Sequence, residues 1–107
     1  MMLIVFTTIE ISGAETLAEA IVNAKLAGCV QILPPMTSVY VWEGQVQKAQ
    51  ENLLLIKTLP EKYDELESFI IANHSYDVPE IFAVEATKTA EPYLAWLEQV
   101  IGVGRKI

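Results

Sequence analysis

One cysteine, one histidine and one arginine are all that 107 residues hold of three side chains on which many metal, nucleophile and phosphate sites are built. With Cys29 alone no intrachain disulfide can form, and nothing points to an oxidising compartment; a reducing cytoplasm fits the chain best. With Arg105 alone, close to the last residue, a bidentate clamp on a phosphoryl group has little to be made from. Basic residues are scarce altogether, seven against fourteen acidic ones. The net charge of -7 repels a nucleic-acid backbone and an anionic membrane surface alike. No apolar run approaches the roughly 18 residues of a membrane-spanning helix. The apolar start, Met1 to Phe6, is too short for a signal-peptide core and has no Lys or Arg before it. GxSxG, HExxH and phosphate-cradling glycine loops are missing, and one His with one Cys lacks the third, orienting group that nucleophilic catalysis generally uses. These gaps point to a binding protein, not an enzyme, with no nucleic-acid or membrane partner.

What is abundant is apolar residue, 52% of the chain against a usual share of about 45–50%. A body this small has proportionally more surface to keep polar, so the surplus needs a burial site outside the monomer. The length suits one domain over residues 1–107, with no internal repeat, low-complexity tract or linker. Leu3 to Thr8 is a continuous β-branched and aromatic run, the pattern of a strand covered on both faces. Ser12 and Glu15 predict a capping box for a first helix through Leu17, Ile21, Ala24 and Ala27, stopped by Gly28. Cys29 to Leu33 and Val39 to Trp42 read as one edge strand bent at Pro34-Pro35. Glu43-Gly44 is the tip of a long hairpin whose return limb, polar over Gln45 to Glu51, ends in Leu53-Leu54-Leu55-Ile56. A second helix follows Pro60 through Tyr63, Leu66, Ile70 and Asn73 or His74. Then come a strand over Glu80 to Ala86 and a third helix opened by Pro92 and ended by Gly102 and Gly104.

The order is βαββαβ plus a helix, which predicts a ferredoxin-like α+β fold, an antiparallel sheet with the first and third strands in the middle. Both crossover helices then cover one face, although the two central strands are apolar on both. A second copy of the chain is the simplest cover for the other face.

Cys29 and His74 are the candidate metal ligands, a thiolate and an imidazole suited to copper or zinc. Their plainer readings are a small buried hydrophobe after a helix and a cation at a helix C-terminus. Lys57, at the end of a central strand, and Glu80, at the start of another, can face a common cleft between subunits that Trp42, Tyr76 and Trp96 line. Alternatively Lys57 snorkels, Glu80 is solvated and the aromatics are packing residues.

The stretches Leu26-Ala27-Gly28-Cys29-Val30-Gln31-Ile32-Leu33-Pro34, Thr37-Ser38-Val39-Tyr40-Val41-Trp42-Glu43-Gly44 and Leu53-Leu54-Leu55-Ile56-Lys57-Thr58 resemble the CutA family of divalent-cation tolerance proteins. His74-Ser75-Tyr76-Asp77-Val78-Pro79-Glu80-Ile81 and Tyr93-Leu94-Ala95-Trp96-Leu97 continue the resemblance in order. It implies a cytoplasmic homotrimer of ferredoxin-like subunits related in architecture to PII signalling proteins, with long hairpin arms reaching neighbours. It also implies copper or other divalent-cation binding linked to metal tolerance, with Cys29 and His74 at the ligand positions. The chain departs from the family at Ser75, usually proline, and near Thr7, where some members carry a second cysteine. A PII-like module binding a small ligand between subunits is the alternative.

Overall fold

The computed structural model describes residues 1–102. Its spine is β1 (Met2–Glu10), where a run of Leu, Ile, Val, Phe and Thr favours an extended, pleated backbone. Leu3, Val5, Thr7 and Ile9 point to one side and are all buried, whereas Ile4 and Phe6 on the other side are only half-buried. β1 pairs antiparallel with β4 (Gln45–Thr58), Val5 opposite Ile56 and Thr7 opposite Leu54, and with β5 (Ile81–Ala86), Phe6 opposite Phe82. With β2 (Cys29–Ile32) outermost, the sheet runs β2-β4-β1-β5, the ferredoxin-like order expected. Helices α1 (Ala14–Asn23) and α2 (Tyr63–Asn73) close one face, packing Leu17, Ile21, Leu66 and Ile70 with Val5, Leu54 and Ile56.

The bent edge strand is in fact two strands. β2 and β3 (Met36–Trp42) pair in succession with the one long β4, the first opposite Lys57 to Leu54 and the second opposite Glu51 to Gln45. Pro34 and Pro35 fall in the gap, where a missing N–H costs no ladder bond. There Asn52 Nδ2 donates to the Leu33 carbonyl at 2.8 Å, and the Leu33 N–H donates to the Leu53 carbonyl at 2.9 Å. The hairpin turns at Glu43 and Gly44, both at positive φ (52° and 76°), the two-residue geometry that suits strand twist. Beyond the sheet this arm is almost wholly exposed and stretches the molecule to 53 × 25 × 22 Å.

Two local expectations are corrected. Ser12 caps nothing: Ile11–Gly13 form a 3-10 turn, and Gly13 precedes α1 without a side-chain cap. Nor does Gly28 stop α1, which ends at Asn23. Lys25 takes the left-handed conformation (φ 58°), its N–H bonded to the Val22 carbonyl and the Leu26 N–H to the Ile21 carbonyl, so a Schellman end forms without glycine. Leu26 then drops into the core beside Ile21, and Thr58 Oγ1 donates to the Leu26 carbonyl at 2.7 Å. α2 ends at Asn73, one of the two ends its spacing allowed, and His74 follows as its C-cap in an extended conformation.

α3 (Glu91–Ile101), with Pro92 in its first turn and Gly102 at φ 81° after it, crosses to the opposite face. Gly104 and Arg105 lie outside the described residues. α3 buries Leu97 and Ile101 against Met2, Ile4, Leu59 and Ala86, and so covers one end of the second face. Gly28 makes this approach possible, since a Cβ there would stand 2.5 Å from Leu97 Cδ1 and 3.0 Å from Val100 Cγ2. Gly28→Ala is therefore expected to cost about 1–3 kcal/mol by overpacking. A guanidinium denaturation midpoint equal to that of the parent protein would refute this account of the glycine.

Candidate functional site

The second face of the sheet divides into three zones. At the α3 end, Lys57 lies opposite Ile4 on one side and Cys29 on the other. Its Nζ stands 5.5 Å from the centre of the Tyr93 ring, and Tyr93 packs against Trp96 at 5.4 Å. In the middle nothing from the described residues covers Phe6, Leu53 and Leu55, which are half-buried, or Phe82 and Val84, which are 47% and 45% exposed. Phe6 and Phe82 stack in register with ring centres 5.1 Å apart. At the arm end, the segment after α2 lies against the sheet and bounds an open cavity of about 700 Å³. Thr8, Ser38, Tyr40, Trp42, Glu51 and Tyr76 are among its walls, and Asp77 and Glu80 add two carboxylates.

His74 fastens that segment. Its Nδ1 accepts the Tyr76 N–H at 3.0 Å, and its Nε2 lies 2.7 Å from the Thr8 carbonyl. A carbonyl only accepts, so Nε2 carries the proton. Both ring nitrogens are thus engaged within the chain, and the ring rests on Tyr76 at 4.6 Å. Tyr76 in turn donates its hydroxyl to Glu51 Oε2 at 2.7 Å. Burial, then the hydrogen bond to Glu51, then the charges of Glu51 and Glu10 push the Tyr76 hydroxyl well above its ordinary 10.0.

The seven residues singled out in the sequence separate into two groups. Trp42, Tyr76 and Glu80 meet at the arm-end cavity; Cys29, Lys57 and Trp96 belong to the α3 end, about 20 Å away if six residues of β4 separate Lys57 from Glu51. His74 holds the arm-end segment. One chain therefore does not bring Lys57 and Glu80 into one cleft. Nor does it bring Cys29 to His74: Cys29 is level with Ile4, His74 with Thr8, four residues or about 13 Å along β1. Among the described residues no three His, Cys, Asp or Glu side chains converge to hold a metal ion. The donors of a single chain thus do not fit a closed copper or zinc site. Sequence reasoning missed Glu51, only 5% exposed. The signal was available in the alternation Glu51, Leu53, Leu55, Lys57, which puts this acid on an apolar strand face.

Fold and site together define a ferredoxin-like α+β protein with a projecting hairpin and a third helix laid on its second sheet face. A sequence model of the CutA1 divalent ion tolerance protein family matches residues 2–100, and the chain belongs to that family. It is 43% identical over 89 residues to the divalent-cation tolerance protein CutA of Thermus thermophilus, spanning 83% of this chain and 86% of that one. It is 44% identical over 97 residues to the chloroplastic protein CutA of Arabidopsis thaliana, where 90% of this chain matches but only 53% of the relative. The chain thus spans about half the length of that relative. A solved structure of the divalent cation tolerance protein from Thermus thermophilus superposes with TM-score 0.90 at 39% identity, covering 97% of this chain and all of that one. The periplasmic divalent cation tolerance protein CutA of Archaeoglobus fulgidus superposes with TM-score 0.90 at 31% identity, over 94% of this chain and 99% of that one. Among the described residues no helix is long and apolar enough to cross a membrane.

The Tyr76–Glu51 bond carries a pH signature. The hydroxyl of Tyr76 is raised in the fold, so its contribution is complete below pH 10.0 and is lost as pH climbs towards the folded value. Tyr63 is raised as well, by burial and by Glu67, so the two must be separated. Above a pH of about 10, where an unperturbed tyrosine ionises, the melting temperature of Tyr76→Phe should fall less steeply than that of the parent protein. Parallel curves would remove Tyr76 from the alkaline transition.

Proposed function

We propose that the chain serves divalent-cation tolerance as a homotrimer that binds a divalent ion such as copper or zinc, without catalysing a reaction, in a reducing cytoplasm. The observation that carries the assembly is the uncovered middle of the second sheet face, with Phe6, Leu55, Phe82 and Val84 left between α3 and the arm-end cavity. An apolar strip this continuous, in the centre of a sheet, marks a contact surface, and symmetric self-association is the commonest form that soluble oligomers take. The tolerance role is supported by membership of the family and by the name of the Thermus relative.

For the metal, the separation of donors argues that ligands come from more than one copy. Cys29, half-buried beside Lys57 at the α3 end of the second face, is the donor this reading assigns to a contact with a neighbour. His74 can join only by giving up a hydrogen bond at each nitrogen it uses. Binding is accordingly modest. The PII-like alternative, a small ligand held near the contacts between copies, is favoured by one specific observation, the arm-end cavity.

Sedimentation equilibrium is expected to return three times the chain mass. Leu55→Asp should dissociate the assembly while the far-ultraviolet spectrum persists, because Leu55 faces the open side. Leu54→Asp should unfold the chain, since Leu54 is sealed under α1 and α2 and an unpaired charge there costs roughly 3 kcal/mol or more. A parent protein that stays monomeric at micromolar concentration sinks the assembly reading. In calorimetric titrations with Cu(II) and Zn(II), Cys29→Ser should lose most of the binding and His74→Ala little of it. Isotherms unchanged by Cys29→Ser would take the thiol out of the metal site.

A further inference from the structure

We propose that the arm-end cavity is a site for an organic cation, an ammonium or guanidinium group held against the Glu51 carboxylate between the rings of Tyr40, Trp42 and Tyr76. The proposal deepens the small-ligand reading of this cavity and is independent of the metal reading.

Glu51 carries the argument. It is 5% exposed, yet among the described residues its one side-chain partner is the Tyr76 hydroxyl. A hydroxyl satisfies an oxygen but does not neutralise a charge, and a carboxylate withdrawn from water without a counter-charge is costly. Glu10 lies directly opposite Glu51 on the adjacent strand, which adds like-charge repulsion. Asp77 and Glu80 reinforce the same sign, and among the described residues no lysine, arginine or histidine lines the cavity. None of the described residues supplies a compensating cation, so the cavity is open to one from a ligand.

Its chemistry follows from the walls. A bare divalent ion needs several oxygen, nitrogen or sulfur donors converging on one point, and the described residues supply no such group. Three aromatic rings and Val39 beside a single deeply placed acid suit a cation with an apolar body, for which ring faces are attractive and partial desolvation is tolerable. The volume of about 700 Å³ falls inside the range of about 300–1,000 Å³ typical of small-molecule sites. The cation can be a free amine or guanidine, or the basic side chain of a second copy.

Agmatine, which carries both groups, tests this by titration into isotopically labelled protein while the two indole N–H signals are followed by NMR. The Trp42 signal should shift saturably, and neutral butylurea should leave it in place. Glu51→Gln, which keeps an oxygen for the Tyr76 hydroxyl, should weaken agmatine at least tenfold. Glu80→Gln, at the rim, should weaken it severalfold and serves if Glu51→Gln does not fold. If the site is already filled by a basic side chain of a second copy, agmatine will not shift Trp42 in the assembly. Glu51→Gln will then weaken self-association in sedimentation by a similar factor, which supports the same chemistry with the other source. Equal binding of butylurea and agmatine keeps a ligand pocket but overturns the cation. No titration together with unchanged association in Glu51→Gln overturns the site altogether.

Discussion

Alternation of side chains along the two central strands is the constraint on which the rest of the molecule depends. Successive residues of β1 and β4 face opposite sides, so two strands apolar throughout demand cover on both. α1 and α2 satisfy one side completely, sealing Val5, Leu54, Ile56, Leu66 and Ile70 from solvent. The other side is solved piecemeal: α3 over Ile4 and Met2, the segment fastened by His74 over Thr8, and none of the described residues over Phe6 and Leu55. The first two are the places where chemistry-bearing side chains gather. The gap between them is apolar and left open by the described residues.

Much of this was legible because it rests on periodicity. The apolar runs of β1 and β4, the spacing of Leu66 and Ile70, Pro92 in a first turn and the Glu43-Gly44 tip each answer to one local rule, and each stands where that rule puts it. The misreadings have a common cause, a residue type whose usual local role was displaced by a tertiary contact. Ser12 is a good cap, but the chain turns through a 3-10 segment before α1 and Gly13 takes the capping position. Gly28 looks like a helix stop; its missing side chain instead makes room for Leu97, far along the chain in a helix on the other face. Pattern within a window cannot register that.

The site was less legible than the fold for the same reason. The candidate residues were grouped by type, without a register to place them along the sheet. Once Cys29 is set opposite Lys57, and Lys57 opposite Ile4, the thiol and the imidazole belong to different ends of the sheet. His74 was weighed as a ligand or as a cation at a helix end, whereas its two hydrogen bonds make it the clasp between Thr8 and Tyr76. Ser75 sits between the two bonded residues, so the clasp restricts a turn whose backbone no proline ring fixes.

Glu51 is the residue at which local consistency fails, and its position explains both why it is there and what it costs. β4 is a single strand serving two environments, a core segment from Leu53 to Thr58 and a solvated arm from Gln45 to Gln50. A polar residue at the junction is natural when the arm stands clear of the sheet. Folding the Tyr76 segment over that junction converts an exposed acid into a buried one, which a fold optimised for stability alone would avoid by placing Gln or Thr there. Departures of this kind concentrate where binding needs a group held ready and partly desolvated, because an electrostatic attraction strengthens as water is removed. The clasp of His74 therefore does more than order a loop. By keeping Tyr76 against Glu51 it maintains the charged wall of the cavity, and so couples the single histidine of the chain to that wall without the imidazole lining it.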